Sequence, residues 1–163
     1  MRLFLKIFYI ALGLFFLAFV IIQLFAIKSQ KNIETYNYIV EDIYDSFEVR
    51  AYESALFTSV KLPDAPFDTS SSQGFSILAS YIFGNNNENK KIAMTSPVSM
   101  TLEDSMTMMF MVPKKYNMES LPKPTQSNIK IKKIESKKMA AITFGGWAND
   151  KKINLYKSKL ISL

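Results

Sequence analysis

The segment from Gly74 to Val98 constrains the fold of this chain more than any other part of its 163 residues. It begins with apolar residues at the spacing of one helix face, namely Phe75, Leu78, Ala79 and Ile82. Ser70 to Ser72 precede this helix and are expected to cap it, and Gly84 follows where a left-handed residue commonly ends a helix. A polar asparagine-rich loop then leads to an extended segment, Lys91–Ser96, which Pro97 is expected to end.

Short motifs along the chain match those of one protein family, in the same order. The first three are Phe47–Tyr52, Tyr81–Asn86 and Lys91–Val98, which read FEVRAY, YIFGNN and KIAMTSPV. Two more follow, Met109–Pro113 (MFMVP) and Phe144–Ala148 (FGGWA). On these motifs the chain resembles the SOUL haem-binding family, over roughly the whole sequence that follows the first 35 residues.

The order of strands and helices predicts an antiparallel α+β domain with two helices. Strands are predicted near residues 38–44, 47–52, 54–62, 100–112, 129–131 and 139–144, and a turn at Glu103–Ser105 divides the fourth. Beyond that turn, Met108 and Phe110 are expected on one face and Met109 and Met111 on the other, as in a central strand. Asn149 or Asp150 is expected to cap the second helix, whose apolar face carries Ile153, Tyr156 and Leu160.

The resemblance to the SOUL family implies a more specific fold than the strand pattern does. It implies a twisted antiparallel sheet that curls toward a barrel, with both helices packed against it. Family members continue past the second helix with further strands, whereas this sequence stops at Leu163. We therefore expect C-terminal strands to be missing and one sheet edge to be open, to be covered by a second copy of the chain or by a partner.

Residues 7–27 contain no charged side chain, and a helix of these 21 residues would be about 31 Å long, enough to cross a bilayer core. The sequence thus predicts a transmembrane anchor at residues 1–28, a linker at 29–37 and a SOUL-like haem-binding domain at 38–163. A cleaved signal peptide is the alternative, although the run is long and Leu24 is bulky for a position three residues before a cut after Ala26. The flanking charges slightly favour a domain on the extracytoplasmic side of a single-pass membrane protein.

The formal net charge is +6, and the densest basic stretch lies between Lys130 and Lys138. These lysines are expected on the solvated faces of two strands, and a lipid-headgroup patch is the alternative. No aromatic residue lies between them, which argues against nucleic-acid binding by base stacking.

The chain contains neither histidine nor cysteine. This excludes a Ser-His-Asp triad, a cysteine nucleophile and imidazole or thiolate ligands for zinc or haem iron. Methionine, tyrosine and lysine remain as conceivable iron ligands. The nine methionines are expected to fill a core. A second alternative is that they form a deformable wall against a flat apolar ligand, and a third is a methionine-rich metal site.

The resemblance also implies an apolar cleft beside the first helix, with family contact positions at Phe75 and Ala79. We predict a haem or related porphyrin site lined by Phe75, Leu78, Ala79, Ile82, Met94 and Met109. For Phe75, Leu78 and Ile82, plain packing of the helix on the sheet is the alternative. The function predicted first is a non-enzymatic, membrane-anchored tetrapyrrole-binding module without histidine ligation. An interaction or scaffold protein that has kept only the fold comes second, and a tetrapyrrole-modifying enzyme third.

Overall fold

A computed structural model describes residues 2–30, 33–102 and 105–163 of the chain. They divide into two compact units, one that ends at Ile33 and one from Glu34 to Leu163. The first contains helix α1 (Arg2–Gln30). Within the described part of the chain, this is the one helix that is long and apolar enough to cross a membrane, over Phe4–Leu24 with a mean hydropathy of 2.6. The predicted apolar helix is therefore present, and its insertion into a bilayer stays a prediction.

The second unit is α+β, with seven strands and two helices in its described residues. In chain order they are β1 (Tyr38–Ile43), β2 (Glu48–Tyr52), β3 (Ala55–Lys61), α2 (Phe67–Ile82), β4 (Ser99–Thr101), β5 (Thr107–Met111), β6 (Ile129–Ile134), β7 (Lys137–Ala141) and α3 (Asp150–Ile161). All the ladders are antiparallel, which confirms the predicted fold class.

The prediction of one sheet curled toward a barrel is wrong in the described residues, where two sheets form and neither closes. Their strand orders are β1-β2-β7 and β4-β5-β3-β6. Tyr52 pairs with Lys137 at the end of the first sheet, and Ala55 pairs with Ile134 at the start of the second. Residues 53–54 and 135–136 interrupt the pairing, and the register of the two chain segments is the same before and after this interruption. One long strand pair is broken at this point, and the break separates the sheets.

Helix α2 begins earlier than the sequence predicts. It starts at Phe67 after Pro66, and the serines expected as caps lie inside it. The hydroxyls of Ser70 and Ser71 instead donate to the backbone oxygens of Ala65 and Asp68, at 3.3 and 3.1 Å. Serine makes such backward hydrogen bonds within helices, so a serine run does not by itself locate a helix start.

Asp150 and Gly84 lie at the two ends of α2. The backbone N–H of Phe67 donates to both carboxylate oxygens of Asp150, at 3.3 Å. A carboxylate at this position also interacts favourably with the helix dipole. After the helix, Gly84 has a φ of +120°, as predicted for a glycine that ends a helix.

The core of the unit lies on the two faces of β5. Met108, Phe110 and Val112 pack with Val60, Leu62 and residues of α2 in the larger cluster. Met109 and Met111 pack with Phe57 in a smaller cluster. Because successive side chains of a strand point to opposite faces, this arrangement confirms that β5 is a central strand with two apolar faces.

Helix α3 has the predicted cap and the predicted face. The side chain of Asn149 accepts a hydrogen bond from the backbone N–H of Lys152 at 2.9 Å. Ile153, Tyr156 and Leu160 are the apolar residues of the helix that are partly covered. No residue of this fully described helix is buried, so α3 lies more loosely on the unit than the predicted packing implies.

Two smaller expectations concern the segment before β5. Lys91–Ser96 forms no strand, and its described sheet contact is a single bridge between Ser96 and Thr35. Pro97 separates that bridge from β4. The turn predicted at Glu103–Ser105 falls mainly on Glu103 and Asp104, which lie outside the described residues. The strands on either side of it pair antiparallel, with Met100 opposite Met108.

Candidate functional site

A cleft of about 620 Å³ lies along the N-terminal half of α2. One wall comes from Phe67, Ser71 and Phe75, which are spaced by four residues and so share one side of the helix. The facing wall comes from β4, β5 and the residue before β4 (Val98, Met100 and Met108), and Ser72 completes the described lining. Within that described lining, every side chain is apolar or carries a hydroxyl. The cleft is therefore suited to an apolar ligand.

Phe75 is the most prominent aromatic side chain of this α2 cleft. It is 40% exposed, although it belongs to a helix packed on a sheet. Its ring meets the ring of Phe110 edge-on, with the centroids 5.4 Å apart. This contact fixes the ring through a favourable aromatic geometry and leaves part of its surface open to the cleft.

The floor of the α2 cleft depends on close contact between helix and sheet at Gly74. A Cβ atom added to Gly74 would lie 3.0 Å from Cβ of Met108 and 2.9 Å from Cδ1 of Leu62. Met108 is buried and also lines the cleft. The lack of a side chain at Gly74 therefore lets α2 approach β5 closely enough to hold Met108 in place.

The structure separates the six residues predicted for the site. Leu78 and Ile82 are 0% and 3% exposed and belong to the larger core cluster, and Ala79 is also buried. Met94 is 37% exposed, in the segment that precedes β4. Met109 lies in the smaller cluster, on the face of β5 opposite Met108. Adjacent side chains of a strand point to opposite faces, so a prediction that is wrong by one residue names the wrong face.

Phe75 and Met109 thus line different cavities. The cavity at Met109 has a volume of about 260 Å³ and includes Tyr52 and Met139 from the other sheet. Of the six predicted residues, Phe75 alone is found in the described lining of the α2 cleft.

The sequence prediction missed six lining residues, namely Phe67, Ser71, Ser72, Val98, Met100 and Met108. Phe67 and Ser71 could have been found, because they precede Phe75 by eight and four residues on one helix. That required placing the helix start at Pro66 instead of at the serines. Met100 could not be found in this way, since its position opposite Met108 depends on a strand register that the sequence does not determine.

Buried polar groups hold the loop that follows α2. The Asn86 amide is buried, and it donates to the backbone oxygens of Tyr81 and Lys90 at 3.1 and 2.8 Å. Its oxygen accepts from the backbone N–H groups of Glu88 and Lys90. The Tyr81 hydroxyl donates to the backbone oxygen of Pro122 at 2.6 Å. Burial, together with the nearby Tyr116 and Glu88, raises the pKa of Tyr81 to about 12, so this donor stays protonated well above neutral pH.

Metal chemistry has few candidate ligands in this unit. Among the described ranges, no group of three or more carboxylate side chains is placed to hold a metal ion. The described lining of the α2 cleft offers apolar contact, hydroxyl groups and the thioethers of Met100 and Met108.

Comparison with known proteins gives a consistent set of similarities. A family profile described as SOUL heme-binding protein matches residues 33–163. Heme-binding protein 1 of Xenopus laevis is 32% identical over 125 residues, which cover 72% of this chain and 65% of that protein. Heme-binding protein 1 of Sus scrofa is 27% identical, with 64% and 59% covered. Heme-binding protein 2 of Homo sapiens is also 27% identical, with 66% and 56% covered. The aligned part of this chain thus spans less than two thirds of the length of these relatives.

Proposed function

This chain belongs to the SOUL haem-binding family, and on that premise we propose that its second compact unit binds haem or a related tetrapyrrole in the α2 cleft. The observation that carries the proposal is an open apolar cleft of about 620 Å³ with a partly exposed phenylalanine on its helix wall. That volume lies within the range of about 300–1,000 Å³ that small-molecule sites occupy. The relatives named Heme-binding protein support binding, not catalysis, as the role.

The residues of the α2 cleft fit a porphyrin held without an imidazole or thiolate ligand. The apolar ring faces would contact Phe75, Met100 and Met108, and burial of apolar surface contributes about 25 cal/mol per Å². The hydroxyl of Ser72 would be a donor for a ligand carboxylate. Leu78 and Ile82 would not contact the ligand, and as core residues they would keep α2 packed on the sheet.

Haemin titration of the full chain in phosphatidylcholine nanodiscs tests the proposal. We expect a saturable change in the Soret band at micromolar haemin, beyond that of empty nanodiscs. Phe75→Ala should weaken binding about fivefold, because the ligand would cover the exposed 40% of a side chain whose full burial is worth about 1.5–3 kcal/mol. Phe83→Ala is the matched control, since Phe83 is more exposed and lies just beyond the same helix. A Soret response equal to that of empty nanodiscs would refute the proposal.

We also propose that α1 anchors the unit to a bilayer, with the unit on the extracytoplasmic side. The length and mean hydropathy of Phe4–Leu24 support this proposal. The chain should remain with membranes after alkaline carbonate extraction. Protease should digest the unit when it is added to cells whose outer envelope is permeabilised and whose cytoplasmic membrane is intact. Release by carbonate would contradict the anchor, and full protection from protease would contradict the orientation.

A second candidate function, an interaction module, is favoured by strand β1. It forms an edge of its sheet, and all six of its residues are exposed, including Ile39 and Ile43. Exposed apolar edges are templates for pairing with another strand. Because the chain has no cysteine, the variant Ile39→Cys forms a disulfide-linked dimer only through position 39. Efficient oxidation to this dimer would support pairing of β1 with a second copy of the chain. Oxidation no faster than that of Ser76→Cys, at an exposed position of α2, would argue against such pairing.

A further inference from the structure

A second cavity, which we call the Tyr116 pocket, lies where β3 begins and β5 ends. Its volume is about 370 Å³. Leu56 of β3, Met111 of β5 and the Tyr116 and Met118 side chains of the following loop form its apolar walls. It shares no described lining residue with the α2 cleft. The two cavities can therefore be tested separately.

Two lysines, Lys114 and Lys133, line the Tyr116 pocket, and each pairs with a glutamate. Lys114 Nζ lies 3.5 Å from the Glu53 carboxylate, and Lys133 Nζ lies 3.0 Å from that of Glu135. In the amide orientation that gives both polar groups of Asn37 a hydrogen-bond partner, the side-chain oxygen of Asn37 accepts from Lys114 Nζ at 2.8 Å. All four charged partners are largely exposed, and exposed ion pairs are weak. An anion entering the pocket can therefore compete for either ammonium group.

Tyr36 adds a hydrogen-bond donor without a partner. Its ring packs against Tyr52 and Phe57, at centroid distances of 4.8 and 5.1 Å, and the residue lines both the Tyr116 pocket and the cavity at Met109. Its hydroxyl is buried, and no described residue accepts a hydrogen bond from it. Burial, followed by the effect of Tyr52, raises the pKa of Tyr36, so the hydroxyl remains a donor well above neutral pH. A buried unpaired hydroxyl is costly, and a ligand oxygen that reached it would relieve that cost.

We propose that the Tyr116 pocket binds a small apolar monocarboxylate. The apolar body would lie between Leu56, Met111 and Tyr116, the carboxylate would face Lys114 and Lys133, and a ligand oxygen would accept from Tyr36. One carboxylate suits this site better than a phosphate group, because Glu53 also lines the pocket and would repel a doubly charged group more strongly. Nothing in this assignment depends on tetrapyrrole binding.

Phenylbutyrate is a suitable probe, because it is water-soluble and combines an aromatic body with one carboxylate. The full chain, methyl-labelled at its nine methionines and held in phosphatidylcholine nanodiscs, is titrated and followed by NMR. We expect saturable shifts of the Met111 and Met118 methyl signals, while those of Met100 and Met108 in the α2 cleft stay in place. Phenylbutanol should bind more weakly and acetate should cause no shift. Unmoved Met111 and Met118 signals at millimolar phenylbutyrate would overturn the proposal.

Matched variants test the polar groups. Lys133→Gln should weaken phenylbutyrate binding about two- to fivefold, the range expected for one exposed ion pair. Lys132→Gln should leave it unchanged, because this neighbouring lysine is absent from the described lining. Tyr36→Phe removes an unpaired hydroxyl, so it should not lower stability, yet it should weaken binding about two- to tenfold. Equal effects of the two lysine variants would refute the carboxylate position, and an unchanged affinity of the tyrosine variant would refute the hydrogen bond.

Discussion

Replacing Gly74 with alanine would test how closely α2 must lie against the sheet beneath the α2 cleft. The new Cβ would be 2.9 Å from Cδ1 of Leu62 and 3.0 Å from Cβ of Met108. The leucine methyl can rotate away, since it is the end of a flexible side chain. Cβ of Met108 is bonded to the β5 backbone, so relieving that contact requires the helix or the strand to move.

Two opposing effects set the magnitude of this change. Alanine favours the helix over glycine by about 1 kcal/mol. An extra methyl group in a well-packed core costs about 1–3 kcal/mol. Because one of the two contacts cannot be relieved by rotation, we expect the cost to prevail and the free energy of unfolding to fall by about 1 kcal/mol.

Pulse proteolysis in urea, applied to the full chain in nanodiscs, measures this effect without a tryptophan signal. That matters because Trp147 is 94% exposed and reports poorly on unfolding. Ser76→Ala is the control, since Ser76 is exposed on the same helix and should gain slightly in stability. In a Leu62→Val background the glycine substitution should cost nearly as much, because the contact with Cβ of Met108 remains. An alanine variant as stable as the original chain would refute the close-contact argument.

Three further predictions concern polar groups. Asn86→Ala should lower the free energy of unfolding by about 2–3 kcal/mol in urea titrations, because the buried amide satisfies four backbone contacts. Tyr81→Phe should cost about 1–2 kcal/mol through the lost bond to Pro122. Since unfolded tyrosine titrates near pH 10 and burial raises the pKa of Tyr81 to about 12, stability should fall as pH rises between these values, and less so in the variant. Asn149→Ala should destabilise the start of α3 by about 1 kcal/mol, seen as faster hydrogen exchange at Lys152.

The elements that the sequence predicted best are those with a clear period. The alternation of Met108 to Met111 correctly placed β5 at the centre of a sheet with two apolar faces. Gly84 correctly marked the end of α2, because few other residues adopt a positive φ. The start of α2 was predicted wrongly, since the carboxylate that accepts from its first N–H group, that of Phe67, belongs to Asp150, far along the chain.

Long-range geometry explains why the site was harder to predict. The break between the two sheets depends on interruptions that face each other in strands more than eighty residues apart. The prediction placed Met109 opposite the helix, whereas the structure puts Met108 there, because the phase of β5 relative to α2 is a property of the assembled core. Phe75 was predicted to line a cleft because the resemblance to the family implies a contact position there.

The central claim, that a tetrapyrrole lies in the α2 cleft, is tested most directly by paramagnetic broadening of methionine methyl signals. Haemin is added to the methyl-labelled full chain in nanodiscs, and each signal is assigned by substitution to leucine. We predict that the Met100 and Met108 signals broaden first and beyond detection, while those of Met111 and Met118 in the Tyr116 pocket stay sharp. Uniform broadening, or broadening that begins at Met111 and Met118, would contradict the account.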